Sequence, residues 1–453
     1  MNTKTIPYLA AGLALVSGLS YAAPEVADSA DAVKPLAYGA QVPDADLTAI
    51  DGETISLRDA LGGGRSVLIF FRGGWCPYCT RHLAGLESVE GDLTALGYKI
   101  IAISPDRIES VKKADAEQNF GYTLLSDLKM EAITRFGLAF EVDADTLKRY
   151  QGYGIDLLSA PDSDAKLLPV PAVYIVDAGG TIRFMHMNPD YKQRLDPLAV
   201  LAAAQAAKDA EIDTPLREYT VDYRQGDTVL EGFVARPENG GQPLPAVVVF
   251  HAWRGLGDYE RRRARQLAEL GYVAFAADVY GKGVRAESRK EAAALARTYK
   301  KDRALMRRRV RAALEAARAQ PGVDADRVAA IGYCFGGTCA LELARSGAEL
   351  AGVVSFHGGL DRAPGLENEP IRTRVLVCHG GSDPHVPAED VAALEKELTD
   401  AGVDWQLIAY GHAVHSFTEP ASGPNTGGGA AYDPLADVRS WEDMQAFFRR
   451  ILR

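Results

Sequence analysis

Between residues 246 and 409 six short apolar runs, 246–250, 273–277, 328–331, 352–356, 375–378 and 405–409, are separated mostly by long stretches with helical spacing. Parallel strands need a crossover of a dozen or more residues, usually a helix. The alternation therefore predicts a mostly parallel sheet covered by helices. A second βα series precedes residue 210. Residues 67–71 read as a buried strand, and 79–96 as a helix with Leu83, Leu86, Val89 and Leu93 on or near one face. Residues 99–103 read as the next strand. Residues 172–176 and 181–184 flank the turn Asp177-Ala178-Gly179-Gly180 as a hairpin, and an Ala-rich helix over 197–209 closes the series. At 453 residues the chain exceeds one ordinary core. The segment 210–215 reads as the linker between two α/β units, 38–210 and 217–453.

With 47% hydrophobic and 25% charged residues the composition is that of an ordinary globular protein, and the formal charge of −11 gives no global footprint for nucleic acid or an anionic membrane. The basic run at Arg307, Arg308, Arg309 and Arg311 lies in an Ala- and Leu-rich helical pattern and reads as a solvated helix face. Residues 1–22 read as an export signal: Lys4 supplies the positive start, residues 6–20 are mostly apolar, and Ser20-Tyr21-Ala22 offers small residues before a cut. No later stretch is long and apolar enough to span a bilayer. The expectation is a periplasmic or secreted chain with no stable membrane span once the signal is removed. Five cysteines cannot all pair, and their clustering is unlike a disulfide scaffold.

Two of those cysteines form Trp75-Cys76-Pro77-Tyr78-Cys79 at the junction of a strand and a helix. The first sulfur falls near a helix N-terminus, where the backbone dipole favours thiolate. Cys79 is placed to attack a mixed disulfide or sulfenic acid formed on Cys76, closing an intramolecular disulfide. A zinc site would need a second Cys pair, and His82 alone does not complete a ligand set, so neither metal nor cofactor is expected.

Arg72-Gly73-Gly74-Trp75-Cys76-Pro77-Tyr78-Cys79, Ile103-Ser104-Pro105-Asp106, Leu124-Leu125-Ser126-Asp127 and Leu168-Pro169-Val170-Pro171-Ala172 resemble the alkyl hydroperoxide reductase and thiol-specific antioxidant family. The resemblance covers about residues 38–205 and implies a thioredoxin-like fold, with Pro171 at the position of the cis-proline that lies against the redox pair. Trp75 would line the redox surface. Ile69 and Gly73 stand where the usual pattern has Pro and Thr or Ser. Peroxide reduction and thiol–disulfide exchange both stay open, each implying a thiol electron donor.

Gly332-Tyr333-Cys334-Phe335-Gly336-Gly337 is a G-x-nucleophile-x-G turn carrying Cys, directly after a strand and before a helical run. Small flanking residues permit the strained turn that exposes the nucleophile. The Phe335 amide would be one oxyanion donor, and the second would come from the loop His251-Ala252-Trp253-Arg254-Gly255. The remaining triad members follow in the hydrolase order, Asp383 after one strand and His415 after the next. His415 would activate Cys334 while Asp383 orients the imidazole. His412 is a rival base, disfavoured by its spacing to Ser416-Phe417. Cys378 and Cys339 read as core thiols.

Residues 217–453 resemble the dienelactone hydrolase family of α/β hydrolases, and the resemblance puts the nucleophile on Cys334, the acid on Asp383, the base on His415 and oxyanion donors on Phe335 and Trp253. The family's Glu beside the resting Cys is replaced by Ala252. Its two carboxylate-binding arginines align with Lys282 and Glu419. Lys282 is thus the candidate substrate-binding cation, and Glu419 would repel a carboxylate. The expected fold class is α/β: a thioredoxin-like fold followed by an α/β-hydrolase fold. The expected function is redox chemistry on a peroxide or disulfide combined with hydrolysis of a small-molecule ester or lactone. One alternative is a redox protein whose hydrolase-like half only binds. Another makes the redox half a guard that keeps Cys334 reduced.

Overall fold

The computed structural model describes residues 26–452 apart from 119, 156, 158–163, 212–213 and 239–241. The export signal expected over residues 1–22 lies outside the described residues.

The first sheet has seven strands in the order Thr54–Ser56, Asp46–Ala49, Thr123–Ser126, Tyr98–Ser104, Arg65–Phe70, Ala172–Val176 and Ile182–Met187. Its fifth strand, Arg65–Phe70, runs parallel to Tyr98–Ser104 and antiparallel to Ala172–Val176. Successive side chains of a strand point to opposite faces. Val67 and Ile69 accordingly join Leu83, Leu86 and Val89 of the helix Pro77–Ala95 in one core, while Leu68 and Phe70 join Phe136 and Tyr174 in another. The helix Pro197–Asp209 packs on the same face as Pro77–Ala95.

No peptide bond among the described residues is cis, which corrects the cis-proline expected at Pro171. The chain passes in trans from the short strand Leu167–Pro169 into Ala172–Val176, and a proline just before a strand removes no ladder hydrogen bond.

The second sheet has eight strands in the order Leu216–Gln225, Thr228–Pro237, Val273–Ala277, Leu244–Phe250, Val323–Tyr333, Gly352–Phe356, Arg374–Gly380 and Trp405–Tyr410. The first two form an antiparallel hairpin at one edge, and every pair from Val273–Ala277 onward is parallel. Both faces are covered, so these strands read as continuous apolar runs: Val247 and Val249 enter one core, Ala246, Val248 and Phe250 the other.

Only half of the basic run is a solvated face. On the helix Arg303–Arg318, Met306 and Val310 are fully buried and Arg307 and Arg309 nearly so. The cause is Glu342, fully buried on the facing helix Phe335–Arg345: it accepts from Arg307 Nε at 2.7 Å and from Arg345 Nη1 at 3.1 Å. A carboxylate withdrawn from water needs such partners. Arg309 Nη2 reaches Thr228 Oγ1 at 2.8 Å, and of the four arginines Arg308 and Arg311 are the exposed ones.

The two units dock. The helix Pro434–Ile451 packs on Pro197–Asp209, and the Tyr432 ring enters the first unit's core edge-on to Phe184 at 5.9 Å. Arg262 bonds the Tyr38 hydroxyl, and Gln266 Nε2 donates to the Asp209 carbonyl at 2.9 Å.

Candidate functional site

In the second unit the site is built by close backbone approach. A Cβ on Gly332 would lie 1.9 Å from the Gly336 oxygen, and one on Gly336 would lie 2.2 Å from the Phe250 oxygen. Only glycine allows the helix Phe335–Arg345 to start this tightly against two strands. Cys334 between them takes φ 54° and ψ −113°, a strained backbone for a residue with a Cβ. Its sulfur is thereby held at the parallel sheet's C-terminal edge, where ligands of such sheets bind.

His415 and Asp383 arrive from neighbouring strand ends. His415 Nε2 stands 3.0 Å from Cys334 Sγ, and His415 Nδ1 stands 2.8 Å from Asp383 Oδ2. The other Asp383 oxygen accepts the His385 amide at 2.8 Å. Burial pulls the His415 imidazole down, but the Cys334 sulfur and the Asp383 carboxylate outweigh it and raise its pKa to about 10. Burial likewise opposes charge on Asp383, yet His415 holds that carboxyl below its usual range. The imidazole is therefore a cation at neutral pH, able to pass a proton to a leaving group. His412 is exposed and does not enter this chain of bonds. The glycine-rich tract after Gly423 is the strap that fixes His415: His415 N donates to the Gly429 oxygen, and Ala431 N donates to the His415 oxygen.

Phe335 opens its helix, so its amide is one of the first-turn donors without an intrahelical acceptor. Trp253 lies in the loop after Leu244–Phe250, which the Gly336 contact brings against the nucleophile turn. Behind that loop the buried His251 ring lies parallel to the Phe335 ring at 5.7 Å, donates through Nδ1 to the Ala252 oxygen at 2.6 Å and accepts the Val279 amide at Nε2.

The Lys282 ammonium pairs with both oxygens of Asp222 at 2.8 and 2.7 Å in an exposed ion pair, and its backbone donates to the Val229 oxygen of the outer hairpin. Tyr280, two residues earlier, packs on the Phe335 and His251 rings and donates to the Trp253 oxygen at 3.0 Å. Glu419 is partly buried; its Oε1 is sealed from water with no hydrogen-bond partner, and burial with the neighbouring Glu260 raises its pKa to about 7.

Sequence reasoning gave His357 no definite role. It is fully buried, and its Nδ1 accepts the Cys334 amide at 3.1 Å while Nε2 pairs with Thr418 Oγ1 at 2.8 Å. Burial, followed by the charge of His415, holds it neutral. That fixes the proton on Nε2, so His357 braces the nucleophile's own backbone. Its φ of 39° at a strand end is a structural signal that the sequence does not display. Cys339 and Cys378 are fully buried core thiols, each pushed up by burial.

In the first unit Cys76 caps the helix Pro77–Ala95, with Pro77 at the first helical position, where its missing N–H costs nothing. Gly73 takes φ 145°, and a Cβ there would meet Trp75 Nε1 at 2.4 Å and Asp106 Oδ1 at 2.6 Å. Asp106 pins the loop by accepting the Gly74 amide at 2.6 Å. Cys76 and Cys79 are both reduced and buried. A hydrogen bond from the Cys79 thiol, aided by Arg72 and Arg194, lowers the Cys76 pKa against the cost of burial. Cys79 is correspondingly raised, and its sulfur accepts from Arg194 Nη2 at 3.3 Å. Such a pair offers one nucleophilic sulfur and one resolving thiol.

Together these features define an α/β hydrolase joined to a thioredoxin-like unit. Residues 230–452 match the dienelactone hydrolase family, and residues 38–185 match the AhpC/TSA family. A Mycobacterium tuberculosis protein named as a peroxiredoxin is 31% identical over 147 residues, covering 32% of this chain and 90% of its own. Two solved structures align with the other half. One, named m3DLH, is 45% identical with a TM-score of 0.50 and spans 52% of this chain and 99% of its own. The other, a dienelactone hydrolase-like promiscuous phosphotriesterase, P91, from metagenomic libraries, is 43% identical with a TM-score of 0.50 over the same shares. The chain belongs to both families, as a fusion of a peroxiredoxin-like half and a dienelactone hydrolase half.

Proposed function

We propose that the C-terminal half is a cysteine hydrolase of carboxylic esters or lactones and the N-terminal half a thiol oxidoreductase, on a chain exported to the periplasm or beyond. The observation that carries the hydrolase reading is the unbroken line Cys334 Sγ, His415, Asp383 at hydrogen-bond distances. The Cys334 sulfur attacks the acyl carbon, and the amides of Phe335 and Trp253 take the developing oxyanion. His415 protonates the leaving alkoxide and then accepts a proton from the water that hydrolyses the thioester. In the other half the Cys76 thiolate attacks a peroxide or disulfide, Cys79 displaces the product as a Cys76–Cys79 disulfide forms, and an external thiol donor restores both.

The test is a panel of esters, lactones and peroxides, with a phosphotriester added because P91 is named for that activity. Ester or lactone hydrolysis should vanish in Cys334→Ala and survive in Cys76→Ser; peroxide or disulfide reduction should show the reverse. Absence of hydrolysis across the wild-type panel favours the reading in which the hydrolase-like half only binds.

A further inference from the structure

Arg194 lies on the segment between the strand Ile182–Met187 and the helix Pro197–Asp209, and it is partly buried. A guanidinium drawn out of water ordinarily meets a carboxylate. Among the described residues no carboxylate bonds or pairs with Arg194, and the partner of its Nη2 is the Cys79 sulfur at 3.3 Å. Two imidazoles stand near it: His82, one turn beyond Cys79 on the helix Pro77–Ala95, and His186 on the strand Ile182–Met187. Burial first, and the Arg194 cation second, bring both down to about 4, so both are neutral. The guanidinium is therefore an uncompensated cation held against the redox pair, and a sulfur is the anion within its reach.

In the resting pair Cys79 draws little from that cation. Its bond to Cys76, then burial, then the charge on Cys76 oppose its ionisation, against the pull of Arg194 and the Arg72 backbone. Oxidation of Cys76 removes the first and third of these together, because a sulfur in a mixed disulfide or sulfenic acid is uncharged and a poor acceptor. Burial then stands against the Cys79 thiolate and Arg194 for it. We propose, resting on the thiol oxidoreductase reading of this half, that Arg194 is the catalytic residue of the resolving step: it holds the Cys79 sulfur as a thiolate while that sulfur attacks oxidised Cys76. With a substrate disulfide, the Cys76 thiolate bonds to one sulfur and expels the other as a thiolate. Cys79 gives its proton to that thiolate, bonds to the Cys76 sulfur and expels the second substrate thiolate; the pair is oxidised and the substrate disulfide reduced. With a sulfenic acid the leaving group is hydroxide, which takes the Cys79 proton and departs as water. The charge-assisted contact acts on the thiolate fraction of the attacking sulfur, which sets the rate.

Stopped-flow reaction of the reduced full-length protein with an equimolar neutral dipyridyl disulfide separates the two steps, because each releases one pyridinethione. The first phase reports attack by Cys76 and the second attack by Cys79, and mass mapping should find a Cys76–Cys79 disulfide at the end. Cys79→Ser should show the first phase alone. Arg194→Met should slow the second phase at least roughly tenfold, as expected when a hydrogen bond to a charged group is lost. The first phase should slow by a smaller factor, since Arg194 ranks last among the groups that favour the Cys76 thiolate. The pH midpoint of the second phase should rise in Arg194→Met and move back toward the wild-type value in Arg194→Lys, which restores the cation; a purely structural arginine would give no such charge-dependent recovery. A wild type that releases no second pyridinethione would overturn the redox reading and, with it, the role of Arg194. A normal wild type with an unchanged second phase in Arg194→Met, with both phases slowed equally, or with Arg194→Lys as slow as Arg194→Met would overturn the role of Arg194 alone.

Discussion

Replacing Glu419 by Gln should remove a pH-dependent loss of stability and, with it, a barrier to anionic substrates. Glu419 stands within electrostatic reach of His415, and burial with the nearby Glu260 lifts its pKa from 4.5 to about 7. The folded state therefore binds more protons than the unfolded state between those two values, so unfolding free energy falls as pH rises through that window and levels off above it. At about 1.36 kcal/mol per pH unit the full effect is about 3 kcal/mol, a ceiling for a partly exposed side chain. The amide of the Glu419→Gln variant has no proton to lose. Urea unfolding of both proteins across the window should show the wild type losing up to about 3 kcal/mol relative to Glu419→Gln, since all other carboxylates cancel in the difference. The same ionisation should show in specificity. For an ester paired with its carboxylated analogue, the wild-type preference for the neutral compound should grow as pH rises through about 7 and stay flat in the variant. Parallel stability curves for the two proteins would refute the buried-carboxyl argument, and parallel specificity profiles its extension to substrate choice.

Asp383→Asn should keep the fold but cut kcat by several orders of magnitude, roughly the 10⁴-fold seen when a triad loses its orienting carboxylate; a loss under tenfold would show that His415 needs no Asp383. In Cys334→Ala the His415 resonance should titrate below about 10, because the sulfur is the largest influence raising it. The sign is that of a raised base: the stability His415 draws from its partners is complete below its ordinary value near 6.5, is lost as pH rises through about 10, and is smaller in that variant. His357→Leu should lower kcat with KM nearly unchanged, and His357→Asn should restore part of it by accepting the Cys334 amide again. Tyr432→Ala should cost roughly 3 kcal/mol, the lower end for removing a buried aromatic ring, and should destabilise both halves in differential scanning calorimetry.

What the sequence displays best is what the backbone must do locally. The helix over 197–209 and the strands over 273–277 and 352–356 coincide with the observed elements, because continuous apolar runs and 3.6-residue spacing record burial directly. The nucleophile turn is legible for the same reason: two glycines flank one nucleophile, and each meets a backbone atom at a distance no Cβ tolerates. Partners brought together by the fold are not written locally. Arg307 looks like any surface arginine until Glu342 lies opposite it, and nothing near Lys282 in the sequence shows that Asp222, sixty residues earlier, pairs with its ammonium. The hairpin Leu216–Gln225 and Thr228–Pro237 escaped the strand pattern because its outer strand is largely polar and buries only Tyr223, while the inner one supplies most of the hairpin's core contacts.

The docking of the halves bears on why they share a chain. From the first unit's core the contacts run Phe184, Tyr432, Asp437, Arg263, Thr418, His357 and then the Cys334 amide. Asp437 and Arg263 are both buried, so neither end of that ion pair can be removed without leaving a charge uncompensated. Contact alone does not make such a line a switch, since coupling requires an element with two arrangements that both sites bias. A static prop is the simpler physical account: the peroxiredoxin-like half buries Tyr432, Tyr432 and Asp437 hold Arg263, and Arg263 holds the Thr418 backbone three residues beyond His415. Arg263→Met separates the two accounts. A prop predicts that hydrolase activity falls by the same factor whether Cys76 and Cys79 are reduced or disulfide-bonded, whereas a switch predicts that the wild-type activity itself differs between those redox states and that the variant abolishes the difference.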